Sequence, residues 1–311
     1  MGARRLLRSL FRLRRCPAIM GTLIARPAEP VAAPDNPCLH SFSTESFCMT
    51  QEIRYGKLIG ASLGPGDPEL ITRRAWDVLQ SGARWVYPVK KAEQASYALA
   101  IVERSGLRIP ADAVELVFPM TRDADALAKA WARAAQQTVE LLATGHDVVF
   151  LVEGDASTFA TFGHLARVVR EQAPSIAVET IPGVSSFTAA AATAGLPLAE
   201  EDETLAVIPT AYGIGVIDHM LDEFDTLILL KVKPLLDDVI ELLERRGLLA
   251  TSCFIEKVGS PEERIVRDLA SLKGETVNYL SLLLVKNPKR QRGELRRGCR
   301  RRQEREAAAH A

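Results

Sequence analysis

The chain has 311 residues, enough for one large domain or two ordinary ones. With 47% hydrophobic and 25% charged residues it is neither a disordered chain, a collagen-like repeat nor a disulfide scaffold. Its 39 basic and 39 acidic side chains cancel to +0, but unevenly: residues 1–48 carry 7 basic and 3 acidic groups, residues 286–311 carry 10 and 3, and residues 49–285 are net −11. A body of that sign is a poor generic nucleic-acid binder, so any polyanion site on it has to be local.

The first 48 residues form a distinct leader, arginine-rich in MGARRLLRSLFRLRRCPAIM and Pro/Ala-rich in RPAEPVAAPDNP. A transit-like or lipid-surface helix is one reading of it. The preferred one is a dispensable leader or an upstream start codon, with Met20 or Met49 as the true beginning, because periodic patterning starts only at Arg54. The expected organisation is a leader over 1–53, an N-terminal α/β lobe over 54–182, a C-terminal α/β lobe over 183–288 and a solvated basic tail over 289–311.

In chain order, Lys57–Leu63 reads as a buried strand, Pro68–Ser81 as a helix and Arg84–Pro88 as a strand. Helices are expected over Ala95–Ser105 and Ala124–Thr144, then the strand Asp147–Val152 and a helix over Thr158–Gln172. The strand Ala177–Ile181, the helix Ser185–Ala194 and the strands Thr204–Pro209 and Thr226–Val232 follow. Leu235–Arg246 closes the helices, and Ser252–Lys257 and Tyr279–Val285 close the strands. Strands alternating with long helices predict an α/β protein with largely parallel sheets. Trp76 and Trp131 sit at helical apolar spacing and read as core, while Tyr97, Phe159 and Phe162 divide evenly between core and a ligand wall. Cys16, Cys38, Cys48, Cys253 and Cys299 form no CxxC or Cys/His metal spacing, which predicts reduced thiols, a cytoplasmic setting and no metal site. No run of about 18 apolar residues predicts a membrane span.

Three glycine turns follow strands. Gly64-Pro65-Gly66-Asp67-Pro68-Glu69 combines glycines that let a ligand approach the main chain with a helix cap: Asp67 as N-cap, Pro68 at the first helical position, Glu69 at the positive end of the dipole. An ordinary strand-turn-helix joint accounts for Asp67 and Pro68 but less well for the glycines. Neither a P-loop nor GxGxxG is present. Glu153-Gly154-Asp155 ends the strand DVVFLV, where ligands of open α/β sheets sit, although Asp155 also suits a helix cap. Pro182-Gly183-Val184-Ser185-Ser186 precedes the small-residue helix FTAAAATAG.

GPGDPELIT, then EGD with a following Thr158-Phe159, then PGVSS with an alanine helix and GLPLA, together resemble the tetrapyrrole methylases, S-adenosylmethionine-dependent enzymes of corrin and siroheme synthesis. The resemblance spans about Lys57 to Asn287. Val117-Phe118-Pro119-Met120-Thr121-Arg122-Asp123, the glutamate of EGD and Leu230-Lys231-Val232 look most like the precorrin-2 C-20 methyltransferases, whereas the uroporphyrinogen methylases carry GGDP in place of EGD. Ala156 stands where the family usually has proline.

What the resemblance implies is two α/β lobes with S-adenosylmethionine in the cleft between them, a reduced tetrapyrrole substrate and a homodimer. By motif, the cofactor contacts would be Gly64, Pro65, Gly66, Asp67, Glu153, Gly154, Asp155, Thr158, Ser185, Ser186, Pro209, Ala211, Leu230 and Lys231. An eight-carboxylate substrate calls for local cations, with Arg122, Lys90 and Lys91 as candidates; solvated surface charge is the alternative for the two lysines. His146, His164 and His219 read as surface residues, and no general base is assigned. The implied reaction is methylation of precorrin-2 at C-20; cobalt-precorrin-2 or another corrin carbon are alternatives within the fold. The acidic body and FPMTRD argue against rRNA or a diphthamide precursor, intact glycine turns against a non-catalytic adenosyl-ligand-binding protein, and the missing GxGxxG against a nucleotide-dependent oxidoreductase.

Overall fold

The computed structural model describes residues 54–121 and 123–291, and the leader, Arg122 and the basic tail from 292 onward lie outside the described residues. Two five-stranded sheets organise them. The first contains β1 (Leu58–Ser62), β2 (Arg84–Val89), β3 (Val114–Val117), β4 (Val148–Val152) and β5 (Val178–Ile181) in the order β3-β2-β4-β1-β5. All its pairings are parallel, and β1 and β4 are buried along their whole length, as strands covered on both faces must be.

Alternation along those strands sends side chains to two apolar layers. Leu58, Val86, Leu116, Val148, Phe150 and Val152 pack under α3 (Ala124–Leu142) and α4 (Phe162–Gln172). Ile59, Ala61, Trp85, Val149, Leu151 and Ile181 pack under α1 (Arg73–Leu79) and α2 (Tyr97–Arg104). At β1 the packing is close enough that a Cβ on Gly60 would lie 2.5 Å from the Phe162 ring.

The second sheet contains β6 (Leu205–Pro209), β7 (Thr226–Leu230), β8 (Ser252–Glu256), β9 (Arg264–Val266) and β10 (Ser281–Lys286) in the order β6-β7-β10-β8-β9. The helices α6 (Ile214–Glu223) and α7 (Leu236–Arg246) cover one face around Leu227, Leu229, Phe254 and Leu283. The other face, with Ile228, Cys253, Ile255 and Leu284, takes the alanines of α5 (Ser186–Ala194), whose small side chains allow close approach to the sheet. Among the described residues no helix is long and apolar enough to cross a membrane.

Four sequence expectations need correction. The second sheet is mixed: only β6–β7 is parallel, while β7–β10, β10–β8 and β8–β9 are antiparallel. No helix lies between β8 and β9, so that connection is too short for a parallel crossover. The single helix expected over Pro68–Ser81 is two: a 3₁₀ turn Pro68–Leu70 capped by Asp67, then α1 capped by Thr72, whose hydroxyl accepts from Ala75 N at 3.3 Å. The helix expected from Thr158 starts at Phe162, because Phe159 takes φ +52° in the preceding loop. Finally, β3, α6 and β9 have no counterpart in the sequence reading; β3 and β9 are short, partly buried edge strands, and α6 opens among the glycines Gly213 and Gly215.

Candidate functional site

A cleft of about 1010 Å³ opens at the carboxyl ends of β2 and β4 of the first sheet. It is closed on the other side by the carboxyl ends of β7 and β8 and the start of β10. This is where an open parallel sheet presents backbone groups to a ligand.

The three glycine turns meet there through a hydrogen-bond lattice. Gly64, at φ +73°, pairs with Gly154, at φ +75°: Gly64 N donates to Gly154 O at 3.2 Å and Gly154 N to Gly64 O at 2.8 Å. The buried Ser62 hydroxyl donates to Ile181 O at 2.6 Å and accepts from Ala156 N at 2.8 Å, joining β1, β5 and the turn after β4. A proline at position 156 has no N–H to give, so the departure from the usual family residue supplies a bond that links two turns. Gly183 packs so closely that a Cβ would lie 2.3 Å from Ser62 Cβ.

Asp155 is the keystone of this lattice. Its carboxylate accepts from the Ser157 hydroxyl at 2.5 Å, the Thr158 hydroxyl at 2.7 Å and Gly183 N at 3.1 Å. Burial pushes its pKa up, but these bonds outweigh burial and hold the carboxyl below its ordinary value. Glu153, two residues earlier, is the opposite case. Its side chain reaches cleft water but is surrounded by protein on most sides, and desolvation pushes its pKa up to about 7 against the opposing pull of the Lys90 ammonium. Nearby, the Tyr97 hydroxyl donates to Pro65 O at 3.2 Å; burial, then the Glu153 charge, pushes its pKa up.

Of the residues implicated by sequence, Pro65, Lys90, Glu153, Gly154, Asp155, Thr158, Ser185, Ser186, Leu230 and Lys231 line one cleft. Ser185 caps α5 through Thr188 N at 3.3 Å. Others stand behind it. The Gly66 carbonyl accepts from Arg104, and a Cβ on Gly66 would lie 2.4 Å from Val258 O, so this turn is clamped against the loop after β8. Asp67 caps its 3₁₀ turn and lines a separate pocket of about 470 Å³. Pro209 and Ala211 do not line the cleft; the Thr210 hydroxyl between them holds Lys231 O at 2.8 Å. Lys91 is exposed and outside the cleft, and Arg122 lies outside the described residues.

The aromatic expectations divide. Phe162 is core, whereas Phe159 is 54% exposed in the cleft. Trp131 is a cleft wall as well as a core neighbour, with its ring 4.5 Å from that of Phe118, where sequence spacing alone predicted core. Phe118, Pro119 and Met120 of the Val117–Asp123 motif line the cleft, and Lys257 and Asn278–Leu282 join the lining without having been singled out. Lys257, like Lys231, takes a left-handed conformation, at φ +50° and φ +57°. Lysine carries no sequence signal for that geometry, as glycine does.

The model of the tetrapyrrole (corrin/porphyrin) methylases matches residues 57–273. The chain belongs to that family. Among similar proteins, the cobalt-precorrin-2 C(20)-methyltransferase of Salmonella typhimurium is 34% identical over 231 residues, covering 74% of this chain and 96% of that protein. The precorrin-2 C(20)-methyltransferase of a Sinorhizobium species is 30% identical over 240 residues, covering 74% and 95%. The fold is shared with the crystal structure of the methyltransferase CobJ, at TM-score 0.55 and 20% identity over 77% of this chain and 97% of that one. It is shared also with the uroporphyrin-III C-methyltransferase of Thermus thermophilus complexed with S-adenosyl homocysteine, at TM-score 0.52 and 23% identity over 74% and 97%.

Proposed function

We propose that this tetrapyrrole methylase transfers a methyl group from S-adenosylmethionine to C-20 of the precorrin-2 macrocycle. The reading is carried by one observation: three family turns, locked by Ser62 and Asp155, face a cleft with an apolar wall in a chain similar over 95–96% of their length to two C-20 methyltransferases.

The residues present fit the methyl donor. An adenosyl sulfonium offers ribose hydroxyls, an amino-acid head and a cation. The cleft offers main-chain groups at Pro65 and Gly154 and the Thr158, Ser185 and Ser186 hydroxyls. A Cβ built on Gly154 would meet nothing within 4 Å, so the turn leaves open space at its outer face. We assign Pro65, Glu153, Gly154, Thr158, Ser185, Ser186, Leu230 and Lys231 to the cleft itself. Asp155 lines it too, Gly64, Gly66 and Asp67 support it from behind, and Pro209 and Ala211 flank Thr210, which holds Lys231 O. When bound, the donor supplies an already activated methyl group on a positively charged sulfur.

The chain's own task is therefore positioning. Alignment of two reactants accounts for roughly 7–11 kcal/mol of a barrier in favourable cases, and a reduced tetrapyrrole meso carbon is nucleophilic without help. Phe118, Met120, Trp131 and Phe159 offer the macrocycle an apolar wall, and Lys90 and Lys231 offer its carboxylates cations. The −11 body is thus answered by local charge. We also assign a homodimeric state and a cytoplasmic setting, on the family resemblance and the cysteine usage; sedimentation at micromolar concentration tests the first.

The test is a paired anaerobic assay with S-adenosylmethionine and either precorrin-2 or cobalt-precorrin-2, reading product mass and methyl position. One methyl gained at C-20 is expected, and the faster substrate assigns the metal state. Methylation of neither, with the donor still bound, would move the substrate elsewhere in the family.

A further inference from the structure

We propose that the Glu153 carboxylate accepts the proton that leaves the reacting carbon after methyl transfer; this rests on the C-20 reading above. The chemistry requires an acceptor. The meso carbon forms its new bond to the methyl group as the sulfonium S–C bond breaks, and that electron pair stays on sulfur. The carbon then carries both hydrogen and methyl beside an iminium. Loss of the proton returns the C–H electron pair to the ring and restores conjugation. The proton passes to Glu153 and from there to cleft water, so no further reactant is needed.

Elimination within the cleft points to Glu153. Among the described residues, three carboxylates and no histidine line it. Asp155 spends both oxygens on Ser157, Thr158 and Gly183, and Glu262 is ion-paired with Lys257 at 2.5 Å. No described residue donates a hydrogen bond to Glu153; desolvation and the Lys90 charge are the influences on its titration among them. The Tyr97 hydroxyl is committed to Pro65 O and holds its proton more tightly than an ordinary tyrosine. The backbone that carries Glu153 is fixed, because Gly154 is bonded to Gly64 and Asp155 to Gly183. An unpartnered carboxylate open to the cleft is placed to take a proton, and the upward push on its pKa makes it a stronger base than an ordinary glutamate. The charged and titratable groups around the same cleft are Lys90 after β2, Tyr97 on α2, Asp155 in the same turn, Lys231 after β7, Lys257 and Glu262 after β8, and Tyr279 before β10, whose ring carries the Lys90 ammonium at 5.3 Å.

The experiment compares wild type with Glu153→Gln, using S-adenosylmethionine and precorrin-2 deuterated at C-20. One clock is formation of S-adenosylhomocysteine in a single turnover, and the second is release of deuterium to water. Calorimetry with S-adenosylhomocysteine reports donor binding. The expected result is unchanged donor binding, continued S-adenosylhomocysteine formation and deuterium release slowed about 100-fold. The wild-type kcat is expected to rise with pH through about 7, and that limb to flatten in the variant. In the ligand-free protein the carboxyl carbon-13 shift of Glu153 is expected to titrate near 7 rather than near 4.5. Where the glutamine variant does not fold, Glu153→Asp keeps a carboxylate and is expected to release deuterium more slowly than wild type.

Deuterium release at the wild-type rate overturns the proposal. So does loss of S-adenosylhomocysteine binding in the variant, which would make Glu153 a donor contact. Absence of methyl transfer to C-20 by the unmutated protein overturns the underlying reading instead, and takes the proposal with it.

Discussion

The two walls of the cleft are built by different means. On the first sheet, Gly64 and Gly154 supply positive φ, Gly183 gives close approach, and the Ser62 and Asp155 side chains bind the turns into one lattice. On the second sheet, Lys231 and Lys257 hold left-handed backbone that lysine disfavours, at the ends of β7 and β8. The first wall takes most of its positive-φ geometry at glycines, with Phe159 at φ +52° the exception; the second stores strain beneath two cations. Strain of this kind gathers at ligand clamps, and here it sets charged side chains at the mouth expected to receive carboxylates.

The sharpest way to break the first wall is to push it off the second. A Cβ on Gly66 would meet Val258 O at 2.4 Å and Gly259 C at 2.8 Å, both backbone atoms that cannot swing aside. We expect Gly66→Ala to cost about 3 kcal/mol in urea unfolding and to weaken S-adenosylhomocysteine binding. Gly163 in α4 is the control, because a Cβ there meets nothing within 4 Å. Gly163→Ala is expected to stabilise by about 0.5–1 kcal/mol. Equal effects of the two substitutions would show that the Gly66 contact does not matter.

Removing one oxygen from the lattice is the next largest perturbation. Ser62→Ala leaves Ile181 O and Ala156 N without their partner in a site with no access to water. The expected cost is about 2–3 kcal/mol, since buried polar groups left unpaired carry most of their desolvation penalty. A loss below about 0.5 kcal/mol in thermal or urea unfolding would mean that the three turns are held together by other contacts.

What was legible in the sequence follows the same divide. The turns at Gly64, Gly154 and Gly183 were legible because glycine, proline and capping residues carry their geometry as composition, and Asp67 is a cap as expected, although of a 3₁₀ turn and not of the longer helix. The buried strands β1, β4 and β7 were legible as unbroken apolar runs. The second wall was half hidden. Leu230 and Lys231 came in through the family motif, but nothing in Asn278-Tyr279-Leu280 or Lys257-Val258 marks a cleft, because these residues are brought there by antiparallel pairing of β10 with β7 and β8. Trp131 shows the limit of periodicity: helical spacing put it on the apolar face of α3, and only the fold decides that this face runs out into the cleft.

The second wall is probed by removing its strain. Lys231→Gly and Lys257→Gly each relieve a left-handed lysine, against about 0.5–1 kcal/mol of extra glycine flexibility in the unfolded chain. We expect a stability change within about 1 kcal/mol for Lys231, while Lys257 also loses its ion pair with Glu262. Both variants are expected to raise KM for the tetrapyrrole. An unchanged KM in Lys231→Gly would remove that side chain from substrate binding and leave its strain without a function.

The smallest effect is also the one that separates the two carboxylates flanking Gly154. Asp155 has a depressed pKa, so its stabilising contribution is present above the ordinary aspartate value and is lost as pH falls through the lower, folded one. Glu153 has the opposite sign: raised from 4.5 to about 7, it binds its proton more tightly in the folded protein than in the unfolded chain. Between those values the folded state carries more protons, so stability falls as pH rises through that window. Cleft water screens the Glu153 charge, which limits the expected fall to about 1 kcal/mol. Unfolding midpoints of the ligand-free protein from pH 4.5 to 7.5 should therefore decline, and Glu153→Gln should flatten that decline while leaving the acid limb of Asp155 in place. A slope that survives in the glutamine variant would assign it to other groups.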